Sequence, residues 1–333
     1  MPPRVSVLLP YRDACPHLAA ALASIRAQTF ADWELLAIDD HSRDASARLL
    51  GAAAARDGRI RLLTNPGRGL ADALNHAAAH AEGAFLARMD ADDIAHRDRL
   101  GRQWALLRAW PALDLCGTAV RVFGPAAAGG RLRYAAWLNR QRWPWQVARA
   151  RLVECPVAHP TFFMRRAALD RLGGYRAFDG PEDYDLVLRL LARGGRVANC
   201  PEPLLHWRDT MQRASRTDPR YRPAAFFQLK RAHLLETFLA DGAPCVQWGA
   251  GIAGKAWLRT WPADRRPEYV VDVAPRRVGQ RVHGVPVVPP AALDPPGSRR
   301  IVVAVGVPGA RAQLRAWFAP RGYTEGRDYL FVA

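Results

Sequence analysis

The chain has 333 residues, half of them apolar, which suffices for two ordinary domains or one large domain with an appendage. Its net charge of +17 is almost wholly arginine, with lysine only at Lys230 and Lys255, and such a surface draws anionic partners: nucleotide diphosphates, lipid pyrophosphates, anionic membrane or nucleic acid. Five scattered cysteines without a C-x-x-C pair indicate neither a disulfide nor a zinc framework, and the apolar run Val5–Leu9, stopped by Pro10, is too short for a leader or a span, so a cytoplasmic protein is expected, at most peripheral at the inner face of the membrane.

Strands and helices alternate through the first 90 residues. Val5–Leu9 reads as a buried strand, and Leu18, Leu22 and Ile25 give helical spacing over 16–27. Trp33–Ile38 is a second strand, 44–57 a helix capped by Ser42 or Asp44, Arg59–Leu63 a third strand, 69–82 a helix and Ala84–Met89 a fourth strand. Such alternation with short connections predicts a mostly parallel α/β sheet with right-handed crossovers. Further on, the pattern predicts a helix ending at Pro111, a strand over Leu115–Phe123, a loop at 124–130, a strand over Thr161–Met164, and helices over 166–172 and 182–193 that stop at glycine pairs. A new strand–helix cycle after Pro244 predicts a separate unit, giving three parts: a domain over 1–215, a helical linker over 216–242, and a C-terminal domain over 243–333.

In an open parallel sheet, ligands bind beyond the carboxyl ends of the strands. Here those ends carry Pro10-Tyr11-Arg12-Asp13, Asp39-Asp40-His41-Ser42 and Asp90-Ala91-Asp92-Asp93. Five aspartates converging on one rim, with Asp13 close by, repel one another unless a cation or ligand compensates. Hard divalent cations take oxygen ligands and bridge carboxylates to phosphates, so Mg²⁺ or Mn²⁺ carrying a nucleotide diphosphate is the simplest filling. A lone Asp-x-Asp or Asp-Asp is usually a solvated turn; two such motifs at strand ends of one sheet are not so easily dismissed.

These motifs resemble glycosyltransferase family 2, an inverting family with the GT-A fold, over about residues 4–215. The resemblance rests on Leu9-Pro10-Tyr11-Arg12-Asp13, Ile38–Asp44 (with His41 where glycine is usual), Gly69–Asn75, Arg88–Asp93, His159–Phe163, Glu182–Leu186 and Leu204–Arg208. It implies a hexosyltransferase-like enzyme using a UDP-sugar or related donor. The donor site would comprise Pro10, Tyr11, Asp13, Asp39, Asp40, Arg68, Asn75, Asp90 and Arg208, with Asp40 favoured over Asp39 for the base. Asp90 and Asp92 would face the ribose and the metal. Asp183 would be the general base, with Glu182 beside it, because a hydroxyl nucleophile needs a carboxylate to take its proton. Pro181-Glu182-Asp183 also fits an ordinary acidic first turn of a helix. His159 and Trp145 would lie on the acceptor side, and the acceptor would be a glycan, a lipid-linked saccharide or a protein.

Two segments stand outside that match. Residues 131–151 carry six arginines with Trp137, Trp143 and Trp145, fitting an acceptor element, a face toward anionic membrane, or an amphipathic cover for the core. No recognised nucleic-acid module is present, so nucleic acid is not an expected partner. Near the C-terminus, Gly249-x-Gly251-x-x-Gly254 follows a strand, opens a helix and precedes Asp272 by 18 residues, the fingerprint of a Rossmann-like nucleotide site that would take NAD(P). Close strand–helix packing explains the glycines equally well. Alternatives to sugar transfer are an oxidoreductase driven by this unit, and a nucleotide-sugar-binding protein without turnover.

Overall fold

Seven consecutive buried residues, Val5–Tyr11, form β1 in the computed structural model, which describes residues 3–333. Helix α1 (Cys15–Arg26) buries Leu18, Ala21, Leu22 and Ile25, the i, i+3, i+4, i+7 face read from its spacing. There follow β2 (Trp33–Asp39), α2 (Ser46–Ala54), β3 (Ile60–Thr64), α3 (Leu70–His80), β4 (Phe85–Arg88), β5 (Ile94–Ala95), α4 (Arg99–Ala109) and β6 (Leu115–Phe123). The arginine- and tryptophan-rich stretch forms α5 (Gly129–Leu138) and α6 (Pro144–Ala150). Next come β7 (Phe163–Arg165), α7 (Arg166–Leu172), α8 (Glu182–Ala192) and β8 (Val197–Arg208).

The eight strands form one sheet in the order β3-β2-β1-β4-β7-β6-β8-β5. The first four are parallel, β7 is antiparallel to both neighbours, β6 and β8 run parallel, and β5 closes the edge antiparallel to β8. A parallel half joined to a mixed half is the arrangement that the resemblance to a GT-A fold implies. Pro10 is tolerated in the middle of it because β4 ends at Arg88, opposite Leu8, so no strand on that side asks Pro10 for an N–H. The strand expected over Thr161–Met164 starts two residues later: the Thr161 N–H and hydroxyl both donate to the Ala158 carbonyl (2.9 and 2.7 Å), closing a turn over His159–Thr161.

The chain divides into two compact units, 1–148 with 156–221, and 149–155 with 222–333. The second holds α9 (Pro223–Glu236), β9 (Cys245–Trp248), α10 (Ile252–Thr260), β10 (Val270–Val271), β11 (Arg281–Val282), β12 (Val285–Val288), β13 (Arg300–Val303), α11 (Ala310–Phe318) and β14 (Tyr329–Phe331). Its parallel strands run β12-β10-β9-β13-β14, with the direction of winding reversing between β9 and β13, a Rossmann-like order. Among the described residues no helix is long and apolar enough to cross a membrane.

Candidate active site

The rim is built where β1, β2 and β4 end. Tyr11 and Asp39 are paired last residues of adjacent strands. The loops beyond them are sewn together: Asp13 Oδ1 accepts the Arg43 N–H (2.7 Å), Asp44 Oδ2 accepts the Cys15 N–H (2.9 Å), and Ser42 Oγ accepts the Asp13 N–H (3.2 Å). Asp13 and His41 pay for this with left-handed backbone (φ 47° and 63°), which explains why glycine suits position 41. His41 Nε2 lies 2.8 Å from the Gly67 carbonyl oxygen.

Asp39 and Asp40 differ in what their oxygens do. Both oxygens of buried Asp40 accept the Gly69 N–H (2.9 and 3.1 Å), and Oδ1 also accepts Asn65 Nδ2 (2.7 Å), so Asp40 anchors the start of α3. Asp39 accepts the Ser42 N–H through Oδ1 (2.8 Å), and among the described residues nothing donates to its Oδ2. Arg68 is exposed beside this anchor, its N–H held by Asp72 (3.1 Å).

The acidic motif after β4 gathers into a single cluster: carboxylate oxygens of Asp90, Asp92 and Asp93 lie within 4.8 Å of one another. Asp93 is fully buried. Its Oδ1 accepts the Arg208 N–H (2.7 Å), and among the described residues its Oδ2 has no donor. Burial, then repulsion from Asp90, pushes the Asp92 carboxyl up to about 6, and the same causes hold Asp93 well above the usual carboxylate range. An orphaned buried carboxylate oxygen inside a crowded all-oxygen set is what a hard divalent cation would satisfy. The Arg208 guanidinium donates to the Asp92 carbonyl (2.7 Å), fastening β8 to this loop.

The second acidic centre stands at the start of α8. Asp183 is partly buried and accepts the Tyr184 N–H (2.8 Å); burial first, and the neighbouring Glu182 next, push it up to about 7. Glu182 is buried, and both its oxygens accept the Tyr221 hydroxyl (3.0 and 2.9 Å). His159 reaches Glu182 through Nδ1 (3.6 Å) and the Tyr175 hydroxyl through Nε2 (3.2 Å). Burial and the charge of Arg88 keep this histidine neutral. Asn75 clamps Tyr175, donating to its carbonyl and accepting its N–H (2.8 Å each), so its amide acts on the backbone behind the pocket.

Arg88 joins the two centres. It is buried, lies 2.5 Å from Asp90, and its positive charge also favours ionisation of Asp92, Glu182 and Asp183. Arg88 lies within a motif the sequence displayed, yet no spacing gave it a role. Sequence reasoning also missed Arg213, whose charge acts on Asp92 and Asp93 while it packs 4.7 Å from the Trp207 ring. Arg131 lies 3.5 Å from the same ring, and among the described residues its Nε and Nη2 find no hydrogen-bond acceptor. Arg220 sits 3.9 Å from where a side chain at Gly69 would begin. Arg220 and Tyr221 belong to no motif and could be found only by folding the chain back. Trp145 is not brought to this rim: it lies with Leu191 and Val197, at the far end of α8 and the opposite edge of the sheet.

In the second unit the glycine fingerprint is packed tightly on itself. A side chain at Gly254 would clash with the Gly249 carbonyl oxygen, and one at Gly249 would meet the Ala304 oxygen at 2.7 Å. Asp272 is buried and accepts the Ala250 and Ala274 N–H groups (2.7 and 2.8 Å) and Arg277 (3.1 Å). Gly251 stands open above them, with Arg277 3.8 Å from its missing side chain. Asp272→Ala would orphan two backbone donors, so thermal unfolding should show a loss of about 1–3 kcal/mol in this unit's stability.

A family model described as glycosyl transferase family 2 matches residues 6–173. Putative glycosyltransferase EpsE of Bacillus subtilis (strain 168) is 34% identical over 212 residues, 62% of this chain and 73% of EpsE. Among solved structures, S. aureus TarS 1–349 in complex with UDP-GlcNAc aligns with a TM-score of 0.56 at 16% identity, over 70% of this chain and 67% of that 1–349 chain. The mannosyltransferase PcManGT from Pyrobaculum calidifontis, in complex with GDP-Man and Mn²⁺, aligns with a TM-score of 0.52 at 21% identity, over 72% of this chain and 64% of that protein. At these identities the two structures speak for the shared fold.

Proposed function

Since the chain belongs to glycosyl transferase family 2, and is a glycosyltransferase, we propose that it moves a sugar from a nucleoside diphosphate donor, a UDP-sugar by preference, to a hydroxyl of a glycan or lipid-linked saccharide with inversion at the sugar carbon. The observation that carries this reading is the pairing of two acidic centres around buried Arg88: the Asp90–Asp92–Asp93 cluster on one side and Asp183 on the other. One centre suits a cation-bridged diphosphate and the other an incoming hydroxyl.

Asp183 takes the acceptor proton as the new bond forms. Its raised pKa makes it a stronger base than an ordinary carboxylate while leaving it about half ionised near neutral pH. Glu182, fixed by Tyr221 and flanked by neutral His159, holds the helix start in place and stays out of proton transfer. A divalent ion, Mn²⁺ or Mg²⁺, held by Asp90, Asp92 and Asp93 would supply positive charge against the leaving diphosphate. Arg213 and Arg208 add fixed positive charge on the same side. In the donor site we assign the nucleotide base to Asp39, whose Oδ2 has no donor among the described residues, and a loop-anchoring role to Asp40.

That division is testable by donor titration. Asp39→Ala should raise the donor Kd about tenfold or more, the loss of one charge-assisted hydrogen bond, and lower the melting temperature less than Asp40→Ala does, because only the half-exposed Ser42 N–H loses its acceptor. Asp40→Ala should lower the melting temperature, because the Gly69 N–H and the Asn65 amide lose their acceptor. A loss of donor affinity confined to Asp40→Ala, with the melting temperature kept, would return the base to Asp40. The reaction class is tested by incubating the protein with UDP-sugars, Mn²⁺ and candidate acceptors, and assigning the product anomer by NMR. Retention of the donor configuration would remove the single-displacement scheme.

A further inference from the structure

The first unit carries a second feature at the edge of its sheet opposite the acidic rim. Trp110 at the end of α4, Trp143, Pro144 and Trp145 at the start of α6, Leu191 near the end of α8 and Val197 at the start of β8 enclose about 420 Å³. Helix α8 starts at the rim with Glu182 and Asp183 and runs 11 residues, roughly 16 Å, toward this pit. Trp143 and Trp145 are more than half exposed, at 54% and 57%. Arg196 alone among the lining residues carries a charge, and Arg140 and Arg142 stand exposed just ahead of Trp143. Among the described residues no carboxylate pairs with these three arginines. Asp114 divides its carboxylate between the Arg196 N–H (Oδ2, 3.0 Å) and the Arg171 guanidinium (Oδ1, 2.6 Å), and makes no ion pair with the Arg196 side chain.

We propose that this face docks the protein on an anionic phospholipid surface. Indole rings prefer the headgroup level of a bilayer, where the ring is desolvated and its N–H stays wet. Guanidinium groups around them pair with lipid phosphates. The lining favours lipid over saccharide or nucleic acid: apart from Arg196 and the indole N–H groups it is Pro, Ala, Leu, Gly and Val, which leaves sugar hydroxyls or base edges without partners. Docked in this way, the carboxyl ends of the strands point away from the bilayer. The nine residues of β6 span roughly 30 Å between the two edges, so the acceptor reached is one that extends into water. Trp145 then serves the lipid contact in place of an acceptor site. The inference stands apart from the chemistry of sugar transfer and survives its failure.

Vesicle sedimentation with the full chain tests it, comparing phosphatidylcholine with phosphatidylcholine carrying about one third phosphatidylglycerol. Wild type should partition to the anionic vesicles far better than to the neutral ones. A triple variant, Arg140→Gln, Arg142→Gln and Arg196→Gln, should lose about 100-fold of that preference, roughly fivefold per arginine. The double variant Trp143→Ala, Trp145→Ala should bind both vesicle types at least about tenfold more weakly. Each variant is taken forward only with a wild-type melting midpoint. A measurement free of variants runs alongside: brominated phosphatidylglycerol should quench wild-type indole emission. Equal binding to both vesicle types, no quenching, or retention of the same residues for a soluble oligosaccharide or single-stranded DNA in place of vesicles would each overturn the assignment.

Discussion

Asp183→Asn should lower kcat for sugar transfer by about 10²- to 10⁴-fold while leaving donor Kd within about threefold of wild type. The amide keeps the shape and the contact to the Tyr184 N–H but cannot accept the acceptor proton. The pH profile adds a second readout. Burial and Glu182 raise Asp183 to about 7, and the ionised form is the active one. Wild-type kcat/KM should therefore fall as pH drops below about 7, approaching tenfold per unit, and this acid limb should vanish from the residual activity of Asp183→Asn. The sign of the stability effect is opposite. A carboxyl raised in the folded state stabilises the fold in its protonated form at low pH, and that contribution is lost as pH climbs from the unfolded value toward 7. At pH 8 the asparagine variant, free of a desolvated charge, should melt at or above the wild-type temperature. A variant that transfers sugar at wild-type rate removes Asp183 from the chemistry, and one that melts early makes its rate loss uninformative about the base, so both are measured on one preparation.

The α/β alternation was legible because each strand of β1 to β4 is a short apolar run and each helix between them repeats its apolar positions with helical spacing. The acidic rim was legible for a related reason: a carboxylate at the end of a buried strand has no packing role to explain it. Strand β8 was harder. Pro201 and Pro203 break the run over Val197–Arg208, and the sheet accepts them because the register against β6 shifts on both sides of Ala119, leaving Pro201 unpaired and Pro203 exposed opposite Ala119. The contacts that sort one aspartate from another were not legible. Asp39 and Asp40 are adjacent in sequence, and their difference lies in Gly69 and Asn65, some 25 to 29 residues away. Arg88 shows the same limit. An arginine in a chain with so many offers no sign that it will be buried between two acidic centres.

Asp92→Asn should make transfer demand far more metal and fall by about 10²- to 10³-fold at saturating donor, the loss expected when one electrostatic stabiliser of a leaving group is removed. The three carboxylates are not equivalent. Asp90 is already engaged by Arg88 at 2.5 Å, and one oxygen of Asp93 is held by the Arg208 N–H. Asp92 is left with its charge least compensated by protein hydrogen bonds, and burial and Asp90 disfavour that charge in the absence of a cation. Neutralising it relieves the repulsion, so the metal-free variant should melt at or above the metal-free wild type, while the rise that Mn²⁺ gives the wild type by mass action should shrink or disappear. This reversal separates a ligand from a merely structural aspartate, whose loss would lower the melting temperature with and without Mn²⁺. Chelation of wild type by EDTA should reproduce the rate loss and be undone by added Mn²⁺. Transfer that persists at full rate in EDTA would mean that Arg88, Arg208 and Arg213 alone balance the diphosphate, and the carboxylate cluster would need another occupant.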